Sequence, residues 1–268
     1  GLCMDGSHLW VGTFSKGLRV IDTRTGAVLR TYTEGHTSHS LNDNSIFSIC
    51  RTSAGEIYLG TLFGLLRYNR TQDNFDRIPE LNGKFVYDIK EDSYGNLWLA
   101  TYANGAYCYD VSARRWKNYV FDAEDEKSLP YDKVLSVFED SYRQIWLTTQ
   151  GGGFCLFHPD TETFTRYGLK DGLPNDVVYQ IVDDRFLWLT TNNGLVRFDP
   201  KTMEMKVFST ANGLPTNQFN YRSGFKDEAG NIYLGSINGF VAFDPRTFAE
   251  NRQVPAVAIT DFLLFNKE

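Results

Sequence analysis

One phrase occurs six times in this chain: an aromatic residue, a hydroxyl three positions on, a glycine three or four later, then a large apolar residue. The aromatics are Trp10, Tyr58, Trp98, Trp146, Trp188 and Tyr233, and the hydroxyls Thr13, Thr61, Thr101, Thr149, Thr191 and Ser236. The glycines are Gly17, Gly64, Gly105, Gly153, Gly194 and Gly239. They are followed by Ile21, Tyr68, Tyr109, Phe157, Phe198 and Phe243. Successive copies lie 40 to 48 residues apart, the period of a four-stranded propeller blade. The repeat therefore predicts an all-β chain. It would be a β-propeller of four-stranded antiparallel blades, its six repeats forming a ring alone or part of a seven-bladed one.

The third copy shows how the pattern becomes a blade. Val86 to Lys90 reads as a strand, Asp92 to Asn96 as a tight turn around Gly95, and Leu97 to Thr101 as the returning strand. After the turn Tyr102 to Gly105, a third strand runs from Ala106 to Tyr109, and a fourth carries Trp116 and Tyr119. Alternation puts Trp98 on one face and Leu97 and Leu99 on the other, so both faces need a neighbouring blade. The residue two after each repeat aromatic is small (Gly12, Gly60, Ala100, Thr148, Thr190, Gly235), as a strand crowded near a central axis requires. Arg143 and Arg185 stand where Gly55, Gly95 and Gly230 stand elsewhere, and those two turns are expected to differ in geometry. Connectors such as Ser128-Leu129-Pro130-Tyr131-Asp132 and Gly172-Leu173-Pro174-Asn175-Asp176 share a leucine anchor. The connector around Pro79 to Lys84 reads as shorter and without that motif.

Composition removes several classes of function. A net charge of −6 without a Lys/Arg cluster argues against nucleic acid. No stretch approaches 18 uninterrupted apolar residues, so no membrane helix is expected. Cys3, Cys50, Cys108 and Cys155 recur about once per repeat and read as small buried apolar residues. Cys108 and Cys155 are one position out of register, on opposite faces of their sheets. No cofactor or metal is expected: His36 and His39 lack a third ligand, and Gly151-Gly152-Gly153 joins two strands instead of opening a helix. The acidic or amide residues after the third strands (Asp22, Asn69, Asp110, Asp199, Asp244) repeat too regularly for catalysis, as do those before the hairpins (Asp92, Asp140, Asp227). Both sets read as turn formers.

The repeat text, notably Glu91-Asp92-Ser93-Tyr94-Gly95-Asn96-Leu97-Trp98 and Gly194-Leu195-Val196-Arg197-Phe198-Asp199, closely resembles the two-component regulator propeller repeat. The tail Val254 to Lys267 resembles the entry to the triple-tyrosine, immunoglobulin-like module that follows such propellers. The resemblance implies a propeller over residues 1–254 and, over 255–268, the start of a linker or immunoglobulin-like module or else a closing strand. It also implies the periplasmic sensor part of a hybrid two-component histidine kinase, anchored in the membrane through segments outside this chain, homodimeric in the full receptor and responsive to glycan-derived oligosaccharides. The domain itself would not be an enzyme. A propeller glycosidase or lyase, and a protein-interaction scaffold, are the competing readings.

Loops that vary while the frame stays constant are where a ligand would be read. The turns between second and third strands contribute Lys16, Phe63, Tyr102, Asn104, Gln150, Asn192, Asn193 and Asn238. The inter-blade connectors contribute Tyr131, Asp132, Asn175 and Asn217. Both sets are expected on one face, around the channel mouth, where amides and aromatic rings suit a sugar.

Overall fold

The structure is a computed structural model that describes residues 1–37 and 39–247. The module expected over 255–268 lies outside the described residues. Six antiparallel sheets follow one another along the chain, each ordered as a simple meander. Blade 1 comprises Leu2–Asp5, His8–Gly12, Leu18–Asp22 and Val28–Tyr32. Blade 2 comprises Ile46–Arg51, Ile57–Thr61, Gly64–Asn69 and Asn74–Arg77. Blade 3 is built from Val86–Glu91, Leu97–Thr101, Ala106–Asp110 and Arg115–Tyr119, and blade 4 from Val134–Glu139, Ile145–Thr149, Phe154–His158 and Thr163–Tyr167. Blade 5 has Val178–Asp183, Leu187–Thr191, Gly194–Phe198 and Met205–Phe208. Blade 6 has three strands among the described residues: Phe219–Lys226, Ile232–Ser236 and Gly239–Phe243.

The repeat aromatics stitch blades together. Trp98 is 2% exposed and packs with Val134, Val137, Ile145 and Leu147 of blade 4, while Leu97 and Leu99 face Leu65 and Leu81 on the blade 2 side. Trp10 meets Tyr68 edge-on at 4.8 Å between ring centroids, and Trp98 meets Phe157 at 4.9 Å. Trp146 likewise meets Phe198 at 5.7 Å, and Trp188 meets Phe243 at 4.8 Å. The second-strand aromatic of one blade thus pairs with the third-strand aromatic of the next. Burial of such a ring is worth roughly 2–3 kcal/mol, and the edge-to-face geometry adds about 0.5–1.5 kcal/mol. In blade 1 the receiving position is Ile21, which is half-buried. Around that junction Leu2 (69% exposed) and Met4 (50%) on blade 1, and Phe225 (63%) and Phe240 (68%) on blade 6, remain uncovered. Among the described residues, the five junctions from blade 1 to blade 6 are closed by packing that blades 6 and 1 do not share.

The repeat hydroxyl and glycine build the turn after the second strand. Thr13, Thr61, Thr101, Thr149, Thr191 and Ser236 each donate through Oγ to the carbonyl of their glycine, at 2.6–3.0 Å. Where the spacing is four residues the glycine sits at φ near +71° (Gly17, Gly105, Gly153). At Gly105 an added Cβ would also collide with the Tyr119 carbonyl. The small residue beside the axis is required by contact as well. A Cβ on Gly12 would lie 2.5 Å from Ile46 Cγ2, and one on Gly60 would lie 2.9 Å from Val86 Cγ1.

The acidic repeats serve the turns. Asp92 accepts from Tyr94 N, Asn96 N and Trp98 Nε1 (3.0, 2.8 and 3.0 Å), and Asp140 accepts from Tyr142 N, Gln144 N and Trp146 Nε1 (2.8, 2.9 and 2.8 Å). Two local expectations are corrected. Arg143 adopts φ +63° and donates its N–H to Asp140 O at 3.0 Å, so it reproduces the geometry of Gly95 despite its side chain. The hydrogen bonds to Asp140 hold it there against a left-handed penalty of roughly 1–2 kcal/mol. Only the shortened turn at Arg185 differs, closing through Asp184 N to Phe186 O at 3.1 Å. The connector after blade 2 does carry the leucine anchor: Leu81, fully buried in a single 3-10 turn from Pro79 to Leu81, takes the place that Leu41 and Leu129 take elsewhere. All four cysteines are free. Cys108 and Cys155 leave opposite faces of their own sheets and so meet in one junction, between blades 3 and 4.

Candidate functional site

Hydrogen bonds join the two loop sets on one face of the ring. Gly17 N donates to Asn44 O (2.9 Å), Gly83 N to Phe63 O (2.9 Å) and Gly105 N to Asp132 O (3.0 Å). The pattern continues with Gly153 N to Asp176 O (2.9 Å), Gly194 N to Asn217 O (2.6 Å) and Ile237 N to Gln218 O (3.3 Å). Each turn after a second strand is therefore tied to a connector, as the sequence predicts. The Gly151–Gly153 loop spends its amides this way: Gly151 N and Gly153 N both donate to Asp176 O, and Gly152 N to Thr149 Oγ1.

The mouth of the channel on this face is lined by residues that the repeat conceals. The innermost strands of blades 2 to 5 each carry a β-bulge just after their first residue, visible as a register shift against the second strand. The residue left out of the ladder is Phe47, Tyr87, Leu135 or Tyr179 in turn. A bulge turns its extra residue away from the pleat and so aims a side chain at the axis. In blade 6 the bulge is larger, with Phe219 opposite Ser236 and Gly224 opposite Leu234, and it takes up Tyr221 and Arg222.

These side chains form a continuous run of rings. Phe14 meets Phe47 at 5.7 Å, Phe47 meets Phe85 at 4.4 Å, and Phe85 stacks on Tyr87 at 4.5 Å. Tyr102 joins at 5.6 Å from Phe85, Tyr221 at 6.0 Å from Tyr87, and Tyr179 at 4.6 Å from Tyr221. Phe14 and Tyr221 are exposed (75% and 43%), and Phe47, Phe85, Tyr87 and Tyr102 are half-buried. Burial together with the neighbouring Tyr221 and Tyr102 hydroxyls pushes the Tyr87 hydroxyl up to about 12, so it stays neutral and can donate. Beneath the rings, Arg222 sits at φ +48° and its Nη1 donates to Tyr87 O (2.8 Å) and Phe47 O (3.0 Å). Its Nη2 lies 3.0 Å from Oδ1 of buried Asp88, a carboxylate that also accepts from Val137 N at 3.2 Å. Arg222 thus ties blade 6 across the axis to blades 2 and 3. Below this strut, toward the hairpin face, a cavity of about 640 Å³ opens between the inner strands of blades 3 to 6.

The residues singled out from sequence divide into three groups. Tyr102 belongs to the ring run, and Asn192 touches it through Tyr179, whose hydroxyl donates to Asn192 Oδ1 at 3.1 Å. Others are engaged in loop structure. Asp132 Oδ1 accepts from Phe121 N (2.8 Å), Asn175 Oδ1 from Val177 N (2.9 Å) and Asn217 Oδ1 from Thr210 N (2.8 Å), while Asn193 Nδ2 reaches Pro174 O (3.4 Å). Gln150 N donates to Lys133 O (2.9 Å), Asn104 N to Thr101 Oγ1 (3.2 Å), and the Tyr131 ring shields Gly151. Lys16, Phe63 and Asn238 stand exposed on their turns. Sequence reasoning missed Phe47, Phe85, Tyr87, Tyr179, Tyr221 and Arg222. The available signal was an aromatic at the second position of inner strands: Phe47 after Ile46, Tyr87 after Val86, Tyr179 after Val178.

Meander sheets stacked face to face, with both loop sets gathered at a channel mouth, define a β-propeller. The family model "Two component regulator propeller" matches residues 40–63 and 80–103, each running from a connector through the first hairpin to the turn after the second strand. Among curated proteins the chain is 28% identical, over 97% of its length, to "Histidine kinase P4" of Formosa agariphila, of which it spans 20%. Among solved structures it is similar to the extracellular domain of a protein described as a hybrid two component system, BT3049, from B. thetaiotaomicron (24% identity, TM-score 0.68, 97% of this chain and 40% of that one). It is also similar to virginiamycin B lyase from Staphylococcus aureus (14% identity, TM-score 0.66, 91% of this chain and 83% of that one). At these identities the structural likenesses establish the fold. The chain spans a fifth of its curated relative and two fifths of the first of these structures.

Proposed function

We propose that this propeller is the ligand-sensing, extracytoplasmic part of a hybrid two-component sensor kinase, and that it reads an oligosaccharide across the ring-lined mouth. The observation that carries the ligand half is the run from Phe14 through Phe47, Phe85 and Tyr87 to Tyr102, exposed or half-buried at the face where both loop sets meet. Pyranose faces stack on such rings, and tyrosine hydroxyls and the Asn192 amide supply hydrogen bonds. The repeat type and the similarity to a histidine kinase support the sensor half. No helix among the described residues is long and apolar enough to cross a membrane, so in this reading a segment outside them anchors the receptor on the periplasmic side. Residues 1–254 form the sensing unit in this proposal, and 255–268 begin the module that relays its state to a dimeric kinase.

The lyase fold neighbour keeps an enzymatic reading in view, but the repeated carboxylates are occupied by turn amides and indoles. Calorimetry of the purified propeller against a panel of plant, algal and host oligosaccharides, with product release assayed in parallel, tests the proposal. Saturable heat without turnover, abolished by Tyr102→Ala with Phe85→Ala, is expected. Turnover, or no heat with any member, refutes it.

A further inference from the structure

Resting on that reading, we propose that the mouth is built for an anionic oligosaccharide, one whose pyranose units carry carboxylate or sulfate groups. Unpaired positive charge stands beside the rings of an acidic chain. Lys133 closes the connector before blade 4. Its Nζ lies 4.7 Å above the Tyr102 ring and 3.3 Å from the Tyr102 hydroxyl, at one end of the ring run. Lys84 immediately precedes Phe85, and its Nζ lies 5.8 Å over Tyr107. Lys16 follows Phe14 by two residues at the other end and is exposed. Among the described residues none of these three lysines forms an ion pair. Lys90, Lys127, Lys170, Lys201 and Lys206 likewise form no ion pair among the described residues, so what distinguishes Lys133 is its seat against a ring of the mouth.

The acids nearby are engaged. Asp88 faces Arg222, Asp132 accepts from Phe121 N, and Asp43 accepts from Ser45 N at 2.6 Å. At the mouth the Lys133 ammonium stands against the end of a row of rings. An ammonium against a π face is partly stripped of water, so it attracts an anion more strongly than a fully solvated lysine does. Rings for the sugar faces with cations beside them match a glycan that alternates apolar faces with anionic substituents. A neutral glycan would leave the three lysines unused.

The test uses acid/neutral probe pairs on shared backbones. One pair is tetragalacturonate with its methyl ester, and a second is a sulfated galactan tetrasaccharide with its desulfated form. Binding is measured by calorimetry at 50 and 500 mM NaCl, values set by the experiment to bracket a Debye length of about 10 Å at 0.1 M. The anionic member of at least one pair should bind about ten-fold tighter than its neutral partner, as one charge-assisted contact of about 1.4 kcal/mol gives. That ratio should shrink in high salt. Which pair shows it separates carboxylate from sulfate. Lys133→Met, which keeps the apolar stem, should bring the ratio toward one while leaving the melting temperature in place. Neutral members binding as tightly as anionic ones, or a ratio unmoved by Lys133→Met, overturns the inference but leaves the sugar-binding mouth standing. Absence of binding by all four probes counts against both.

Discussion

Removing the Asp92 carboxylate should cost far more than a surface aspartate would. Asp92 is 7% exposed and accepts from two backbone amides, Tyr94 N and Asn96 N, from Asn96 Nδ2, and from the indole of Trp98 at 3.0 Å. Tyr94 is 70% exposed, so water can replace the carboxylate for the turn amides. It cannot reach the indole, because Trp98 is 2% exposed and pressed against Phe157. Hydrogen bonds to charged groups contribute about 1.5–3 kcal/mol, and an orphaned buried donor costs about 1–3 kcal/mol. Asp92→Ala should therefore destabilise by about 2–4 kcal/mol. Asp92→Asn should lose nearly as much, since an amide satisfying the turn with its oxygen turns an N–H toward the indole N–H. Urea unfolding of Asp92→Ala, Trp98→Phe and the double variant isolates the contact, with a coupling energy of about 1.5–3 kcal/mol expected. Blade 4 offers an internal repeat of the experiment through Asp140 and Trp146 at 2.8 Å. A coupling below about 0.5 kcal/mol in both blades would mean that the indole–carboxylate bond is geometric decoration and that the turn amides alone explain the repeated aspartate.

Three further outcomes follow from the geometry. Gly105→Ala places a Cβ against the Tyr119 carbonyl at φ +71° and should cost about 2–3 kcal/mol, whereas alanine at Gly83, which meets nothing within 4 Å, should carry only the left-handed strain of roughly 1–2 kcal/mol; thermal melts compare the two. The Arg24 guanidinium and backbone N–H hold the Asp22 carboxyl at about 2, below the ordinary 3.8. A depressed folded-state value stabilises above 3.8 and loses that contribution as pH falls toward 2, so melting temperatures of Arg24→Met should decline less steeply than wild type across that window. Arg222→Gln removes the strut to Asp88; because the side chain is 32% exposed, the loss should be about 1–3 kcal/mol, and hydrogen exchange should quicken in Phe219–Lys226 while Trp98 and its neighbours stay protected.

The frame of this molecule can be read from its text because each element of the repeat performs a local task. Thr101 needs only Gly105 to close its turn, and Asp92 needs only residues 94 to 98. The candidate site was less legible. Tyr102 and Asn192 stood out because they lie on turns, but Phe47, Tyr87 and Tyr179 looked like ordinary strand residues. A bulge is a mismatch between two strands, and one strand's sequence does not record it. Leu81 and Arg143 were misread for a related reason. Their neighbours fix their conformation, and residue type alone points elsewhere.

Sequence by itself determined the blade: which residues are strands, which face the ring of each Trp takes, and why glycine and threonine recur. These depend on contacts within one repeat, where spacing along the chain equals position in space. Tertiary structure decided what surrounds the axis. Phe14, Phe47, Tyr87, Tyr179 and Tyr221 come from five blades, and Arg222 reaches Phe47 from 175 residues away. Only the closing of sheets around a common centre brings such distant positions within a few ångströms, and no periodicity in the chain encodes that meeting.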